Sequence, residues 1–158
     1  MKIIKKSEVM LEIERKYLLK SMDWLSEDVK STHEIQQAYL FQGEEKSLRI
    51  RLKDTRAYLT IKMGKGISRH EFEFEIPQTD AIEMIQVAEL KSLRKTRYEI
   101  QFYDHIWEID VFKGKHDGLI LAEIELTSED ERFAMPHWLG EEVTHDPNYL
   151  NVNLFKTL

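Results

Sequence analysis

Charged residues of one sign recur at every second position in several short segments of the chain. In an extended strand, side chains two positions apart lie on the same face, and like charges on one face repel each other. Cross-strand ion pairs on a solvated surface would explain any single pair. Sorting by sign in so many segments instead favours a ligand that interacts with both signs. The sorted sets are Arg49 and Arg51, Lys95 and Arg97, Glu71, Glu73 and Glu75, Glu108 and Asp110, and Glu123 and Glu125, with Glu12 and Glu14 followed by Lys16.

Polyphosphate together with a divalent metal is a ligand class that uses both signs at once. Arginine offers planar, bidentate donors to phosphate oxygens, and lysine supplies a compact positive charge. Carboxylates hold Mg²⁺ or Mn²⁺, and two such ions about 3.5–4 Å apart can hold a substrate and activate water. A barrel with inward polar faces would gather all these side chains around one cavity.

The elements that must position these residues are predominantly strands. Alternation of apolar and polar residues predicts about eight strands joined mostly by short turns, which indicates a sandwich or a closed barrel. The predicted strands are Leu11–Leu19, Ile35–Phe41, Lys46–Lys53, Ala57–Met63, Arg69–Ile76, Arg94–Phe102, Ile106–Phe112 and Leu119–Thr127.

Helical patterns occur in three places. A capping-box pattern at Asp80 predicts a helix to about Leu93, and a second such pattern at Ser128 predicts a short helix that Pro136 ends. The C-terminal residues 149–158 form a further amphipathic segment. The fold class expected is therefore mainly β, with a few peripheral helices.

Composition excludes several classes of function. The chain has 158 residues and no cysteine, so a disulfide framework and a thiolate zinc site are excluded. Its 23 Lys+Arg against 29 Asp+Glu give a net charge of −6, which argues against a nucleic-acid partner. No apolar run is long enough to span a membrane, and we expect a cytoplasmic protein. Residues 10–158 are expected to form one domain, with residues 1–9 as a flexible N-terminal extension.

The segment Glu12-Ile13-Glu14-Arg15-Lys16 resembles the E-x-E-x-K signature of the CYTH family, the triphosphate tunnel metalloenzymes. The resemblance continues in order from about residue 10 to residue 155. The further matching segments are Leu48–Leu52, Leu59–Lys62, Ser68–Glu73, Lys95–Tyr98, Trp107–Phe112, Ala122–Leu126 and Gly140–Thr144, followed by Asp146, Tyr149 and Asn151.

This resemblance implies a closed, eight-stranded antiparallel tunnel with a C-terminal helix at one end. It also implies a role for each matching residue. Lys62 is assigned to water activation, with Tyr39 as a looser match. The acidic positions Glu71 and Glu73 have no assigned role. The metal-holding side is Glu12, Glu14, Asp110, Glu123 and Glu125, and the phosphate-binding side is Lys16, Arg49, Arg51, Lys62, Lys95 and Arg97.

The function expected from the resemblance is hydrolysis of inorganic triphosphate, or of a similar short triphosphate, with Mg²⁺ or Mn²⁺. Adenylate cyclase of class IV and thiamine triphosphatase are the enzyme alternatives, and a non-catalytic polyphosphate- or nucleotide-binding module is the third. The substrate is expected to be the partner, and a homodimer is left open. A lysine from the C-terminal helix is not identified, because that helix offers only Lys156.

Overall fold

Antiparallel strands form the framework of the chain. The computed structural model describes residues 11–158 apart from the side chain of Val152, so the expectation for residues 1–9 lies outside the described residues. The strands are β1 (Leu11–Leu19), β2 (Asp28–Gln42), β3 (Lys46–Lys53), β4 (Arg56–Met63), β5 (Ser68–Ile76), β6 (Leu93–Phe102), β7 (His105–Phe112), β8 (Ile120–Leu126) and β9 (Leu139–Glu142). The α-helices are α1 (Gln78–Val87) and α2 (Asn151–Lys156), and single 3₁₀ turns lie at Asp23–Ser26, Gly114–His116 and Pro147–Tyr149.

Strand β1 closes the sheet into a barrel. Along one edge it pairs with β8, and along the other its first residues pair with β5, so that Leu11 lies opposite His70. The far end of that second edge pairs with β9, where Tyr17 lies opposite Glu142. The order β5-β4-β3-β2-β6-β7-β8-β1 therefore forms a ring of eight strands, and β9 is an additional strand. The predicted fold class is confirmed.

The alternation along each strand separates an apolar outer face from a charged inner face. On β1, Ile13 and Tyr17 are buried against Trp107 and Trp138 outside the ring. Burial of side chains of this size contributes about 1.5–3 kcal/mol each, and this fixes which face of the strand points outward. Helix α1 covers a second outer cluster that includes Ile50 on β3.

One end of the barrel interior is filled by apolar side chains, which we call the apolar plug: Leu93, Phe112 and Leu121. The register places Phe112 opposite Lys95 and Leu121 opposite Asp110, so the plug belongs to the inner face. Leu154 of α2 packs against the plug and is itself buried. The C-terminal helix therefore closes this end, as expected.

The helix predicted from Asp80 to about Leu93 is present as α1, but it begins earlier, at Gln78, and ends at Val87, and the short helix predicted after Ser128 was wrong. Helix α1 begins at Gln78 directly after Pro77, without a side-chain cap, and Glu89 in the left-handed region (φ 49°) follows its end. No helix forms between Ser128 and Pro136. Instead, the carboxylate of Glu131 accepts hydrogen bonds from the Thr127 backbone N–H (2.5 Å) and hydroxyl (2.7 Å), which ties this segment into a turn.

Strand β2 is longer than predicted, since it begins at Asp28 rather than Ile35. Its first part has no apolar alternation, but its backbone pairs with β6 from Asp28 opposite Gln101 onward. Within residues 11–158, no helix is long and apolar enough to cross a membrane.

Candidate active site

The barrel encloses a cavity of about 330 Å³, a volume that falls within the usual range for small-molecule sites. All eight strands of the ring contribute residues to its wall, and each of them except β2, which contributes Tyr39, adds a charged side chain. The predicted site residues that line it are Glu12, Glu14, Lys16, Tyr39, Arg49, Arg51, Lys62, Glu71, Glu73, Arg97, Glu123 and Glu125. Lys95 and Asp110 are predicted site residues that do not line it.

Lys62 on β4 joins the carboxylates of two other strands. Its Nζ lies 2.5 Å from Glu12 Oε2 on β1 and 3.2 Å from Glu71 Oε2 on β5. Burial alone would lower the pKa of Lys62, but the carboxylates of Glu12, Glu14 and Glu71 outweigh it and raise this pKa above its usual value. Lys62 is therefore an ammonium donor in the resting site and cannot act as a base.

A second ion-pair group lies across β1, β6, β7 and β8. Lys16 Nζ lies 3.0 Å from Glu123 Oε1, and Arg97 Nη2 lies 3.2 Å from Glu123 Oε2. Burial opposes the charge of Glu123, but Lys16 and Arg97 hold the pKa of this carboxyl well below its usual range. Lys16 also donates to the carbonyl of Tyr149 (3.1 Å), which connects the site to the segment before α2.

Asp110 and Lys95 form an ion pair in which neither side chain has exposed surface. Asp110 also accepts two hydrogen bonds from Arg97, from Nε and Nη2, each at 2.7 Å. Lys95 Nζ lies 5.4 Å from the ring centre of Phe112 in the apolar plug. The structure therefore places this pair between the plug and the cavity, where Asp110 orients Arg97 from behind.

Arg49 and Arg51 project from β3 into the cavity and have few partners. Arg49 donates to the hydroxyl of Thr60 (3.2 Å) and lies 3.9 Å from Glu73. Arg51 donates to the amide oxygen of Gln37 (3.2 Å), and no carboxylate of residues 11–158 lies within 4.0 Å of it. An arginine pair of this kind presents unused donors to an anion.

Carboxylates of the neighbouring strands β1 and β8 lie side by side in the wall of the cavity. Glu14 lies directly opposite Glu125 in the register of the two strands. Burial, followed by the charges of Glu123 and Glu12, raises the pKa of Glu14 to about 8. A divalent cation would relieve this crowding, and carboxylate oxygens are the ligands that Mg²⁺ and Mn²⁺ prefer. The donor set therefore fits such a metal.

These carboxylates do not form a ready-made ligand set. In residues 11–158, no group of three or more His, Asp or Glu side chains converges as it would around a bound ion. Lys62 and Lys16 instead draw Glu12 and Glu123 into ion pairs. Cations and carboxylates of these two groups are therefore paired with each other.

Tyr39 lines the cavity from β2, but it is largely buried. Its ring contacts that of Phe155 on α2 edge to face, with the ring centres 5.3 Å apart. This contact makes Tyr39 part of the packing between the barrel and the C-terminal helix.

Sequence reasoning missed two uncharged residues of the inner face, Gln37 and Thr60, and gave no role to Glu108, which it had paired with Asp110 as a sorted charge. Gln37 accepts a hydrogen bond from Arg51. Thr60 accepts one from Arg49 and donates one to Glu73 (3.1 Å). Glu108 forms an ion pair with Arg97 and lines the cavity. Each lies two positions from another inward-facing residue of its strand. That spacing could have identified them, but uncharged side chains do not stand out in a pattern of sorted charges.

The model of the CYTH domain matches residues 10–156. The chain belongs to the CYTH domain family. This family membership confirms the resemblance and accounts for the closed barrel with its charged interior.

Two curated CYTH relatives share a name. An inorganic triphosphatase of Acetivibrio thermocellus is 46% identical over 122 residues, which are 76% of this chain and 78% of that protein. An inorganic triphosphatase of Nitrosomonas europaea is 36% identical over 146 residues, or 90% of this chain and 95% of that protein. A crystal structure of an inorganic triphosphatase matches with a TM-score of 0.66 and 34% identity, and covers 93% of this chain and 95% of the other.

Proposed function

We propose that this protein is an inorganic triphosphatase, which hydrolyses a phosphoric anhydride bond of inorganic triphosphate. The observation that carries the proposal is the cavity, which brings Arg49 and Arg51, with few partners of their own, together with the crowded carboxylates of β1 and β8. Both curated relatives are inorganic triphosphatases, and they are similar to this chain over most of its length.

Arg49 and Arg51 are the primary binding groups for the phosphates in this proposal. Their guanidinium groups offer paired N–H donors, which match phosphate oxygens in geometry and charge. Lys16, Lys62 and Arg97 add positive charge around the same volume. Because their carboxylate partners lie within the same cavity, these cations are held in place before the substrate binds, and this preorganisation favours charge stabilisation in the transition state.

Glu12, Glu14, Glu123 and Glu125 are the residues that would hold Mg²⁺ or Mn²⁺. When bound, such an ion supplies charge neutralisation at the phosphate oxygens and makes bound water a better nucleophile. Asp110 belongs to the supporting structure rather than to this ligand set, because its two oxygens are occupied by Arg97 and Lys95.

Lys62 is the residue that we assign to the attacking water, with Tyr39 beside the same cavity. Because Lys62 is protonated in the resting site, its contribution is an oriented N–H donor and a positive charge rather than proton abstraction. Ion pairs with Glu12 and Glu71 fix the position of its Nζ.

A panel of substrates tests the proposal. Phosphate release is measured from tripolyphosphate, ATP, thiamine triphosphate and pyrophosphate, and cyclic AMP is assayed in parallel. We expect tripolyphosphate to be cleaved fastest, a chelator to abolish the activity, and Mg²⁺ or Mn²⁺ to restore it. Cyclic AMP and pyrophosphate formed from ATP at a comparable rate would contradict the proposal in favour of a cyclase.

Matched arginine variants connect that activity to the cavity. Arg49→Gln removes a buried charge from the cavity wall, whereas Arg56→Gln removes an exposed charge that pairs with Glu75 (2.6 Å) at the end of the barrel and does not line the cavity. We expect the first change to lower kcat/KM by about 10²-fold and the second to leave it unchanged. An equal kcat/KM in the two variants would contradict the proposal that the reaction takes place in this cavity.

A further inference from the structure

Gln37 is a polar residue with no exposed surface on the inner face of β2. In the strand register it lies opposite Arg51 on β3 and opposite Leu93 of the apolar plug on β6. Its Oε1 accepts a hydrogen bond from Arg51 Nη2 at 3.2 Å. The reverse orientation of the amide would set N–H groups against the N–H groups of the guanidinium, so the charge of Arg51 determines which end of the amide faces it.

The surroundings of this hydrogen bond are rich in donors. Among residues 11–158, Gln37 Nε2 and Arg51 Nε are buried and have no acceptor. Burial, together with the charges of Arg49 and Arg97, lowers the pKa of Arg51 to about 10. A glutamate at position 37 would keep an acceptor for Arg51, add a counter-charge and remove the unsatisfied amide donor. Stability alone therefore does not favour glutamine at this position.

Other cations of the cavity are held by carboxylates. Lys62 pairs with Glu12 and Arg97 pairs with Glu123, and in each pair the opposite charges offset each other. Arg51 is held by an amide oxygen instead. A neutral acceptor fixes the direction of the guanidinium without adding a paired negative charge, and Glu73 and Glu108 act on Arg51 only from a distance.

We infer that Gln37 is a positioning residue, which holds Arg51 at the cavity wall through a neutral acceptor and keeps its positive charge available for a phosphate group of the substrate. This inference rests on the proposed function, because it assigns Arg51 to binding of the triphosphate. Gln37 itself does not line the cavity and acts through Arg51.

Replacing Gln37 with glutamate tests the inference, because the shape of the side chain is kept and only its charge changes. The new carboxylate would pair with Arg51, and phosphate would have to displace it. We expect the KM for tripolyphosphate to rise at least about tenfold, with a smaller change in kcat. The thermal unfolding midpoint should be equal to that of wild type or higher, since a buried cation gains a partner. Gln37→Met, which removes the acceptor without adding charge, should raise KM less.

Gln36→Glu is the matched control. Gln36 is the preceding residue of β2, points to the outside of the barrel and donates to Ser92 Oγ (2.8 Å). The substitution changes the net charge by the same amount as Gln37→Glu, but outside the cavity. Its KM should equal that of wild type.

An unchanged KM in Gln37→Glu, or a rise of equal size in Gln36→Glu, would overturn the inference. A lowered unfolding midpoint in Gln37→Glu would do the same, because the carboxylate would then not pair with Arg51. If wild type does not cleave tripolyphosphate, the proposed function fails and the inference fails with it. If wild type cleaves tripolyphosphate and all the variants share its KM, only the inference fails.

Discussion

Replacing Asp110 with asparagine removes the negative charge from an ion pair that has no exposed surface, while the shape of the side chain is kept. Asp110 accepts from both Lys95 and Arg97. After the change, Arg97 retains Glu108 and Glu123 as partners, but Lys95 has no carboxylate among its described contacts. The loss of stability therefore comes mainly from Lys95, which becomes a buried cation without a paired carboxylate.

Two effects set the size of the loss in unfolding free energy: the cost of an unpaired buried charge and the cost of deprotonating Lys95. Removal of one partner from a buried ion pair destabilises a protein by about 3–5 kcal/mol. Burial already lowers the pKa of Lys95 to about 8, and Asp110 raises it against that effect. Without Asp110, Lys95 can release its proton at a cost of about 1.4 kcal/mol per pKa unit, which limits the penalty. We expect Asp110→Asn to lower the free energy of unfolding by about 2–4 kcal/mol near pH 6.

The same reasoning fixes the pH dependence. The folded variant has a Lys95 pKa below about 8, whereas the unfolded chain keeps this proton up to its usual value of 10.5. Once the pH exceeds the pKa of the variant, its unfolded state binds more protons than its folded state, so its stability rises with pH. Wild type begins the same rise only near pH 8. The deficit of the variant should therefore narrow as the pH approaches 8.

Urea unfolding followed by circular dichroism at pH 6 and pH 8 measures both effects. Asp130→Asn is the control, because Asp130 is exposed and its loss should change stability by less than about 0.5 kcal/mol. Adding Lys95→Met to Asp110→Asn should recover part of the loss, since the unpaired cation is removed. If Asp110→Asn lowers the free energy of unfolding by less than about 1 kcal/mol at pH 6, Asp110 is not the essential partner of Lys95. Asp110 would then again be a candidate metal ligand.

Three further predictions concern other parts of the molecule. Lys62→Met should lower kcat by about 10²-fold and raise KM by a smaller factor, as measured by steady-state kinetics on tripolyphosphate. A change in KM alone would contradict the assignment of Lys62 to the attacking water. Leu154→Ala should cost about 2–5 kcal/mol of unfolding free energy, because it opens a cavity against the apolar plug, and chemical denaturation measures it. Hydrogen bonds from Thr127 and His105 lower the pKa of Glu131 to about 2. Glu131→Gln should therefore lower the thermal midpoint at pH 7, and the difference should fade as the pH falls from 4.5 towards 2.

The alternation of residue types determined most of the barrel from the sequence. Side chains two positions apart must share a face, so Glu12, Glu14 and Lys16 were separated from Ile13 and Tyr17 without knowledge of any neighbour. The same rule placed Arg49 with Arg51. Because apolar burial fixes which face of a strand points outward, the inner surface of the tunnel could be predicted almost residue by residue.

Tertiary structure alone decided which charges meet and how deeply they are buried. Asp110 and Glu123 look alike in the sequence, yet one lies behind the cavity and the other lines it, because the apolar plug occupies one end of the barrel. The partner of Arg51 depends on the register between β2 and β3, which sets Gln37 opposite it. Register, stagger and depth arise from contacts between strands far apart in the chain, and a single strand carries no record of them.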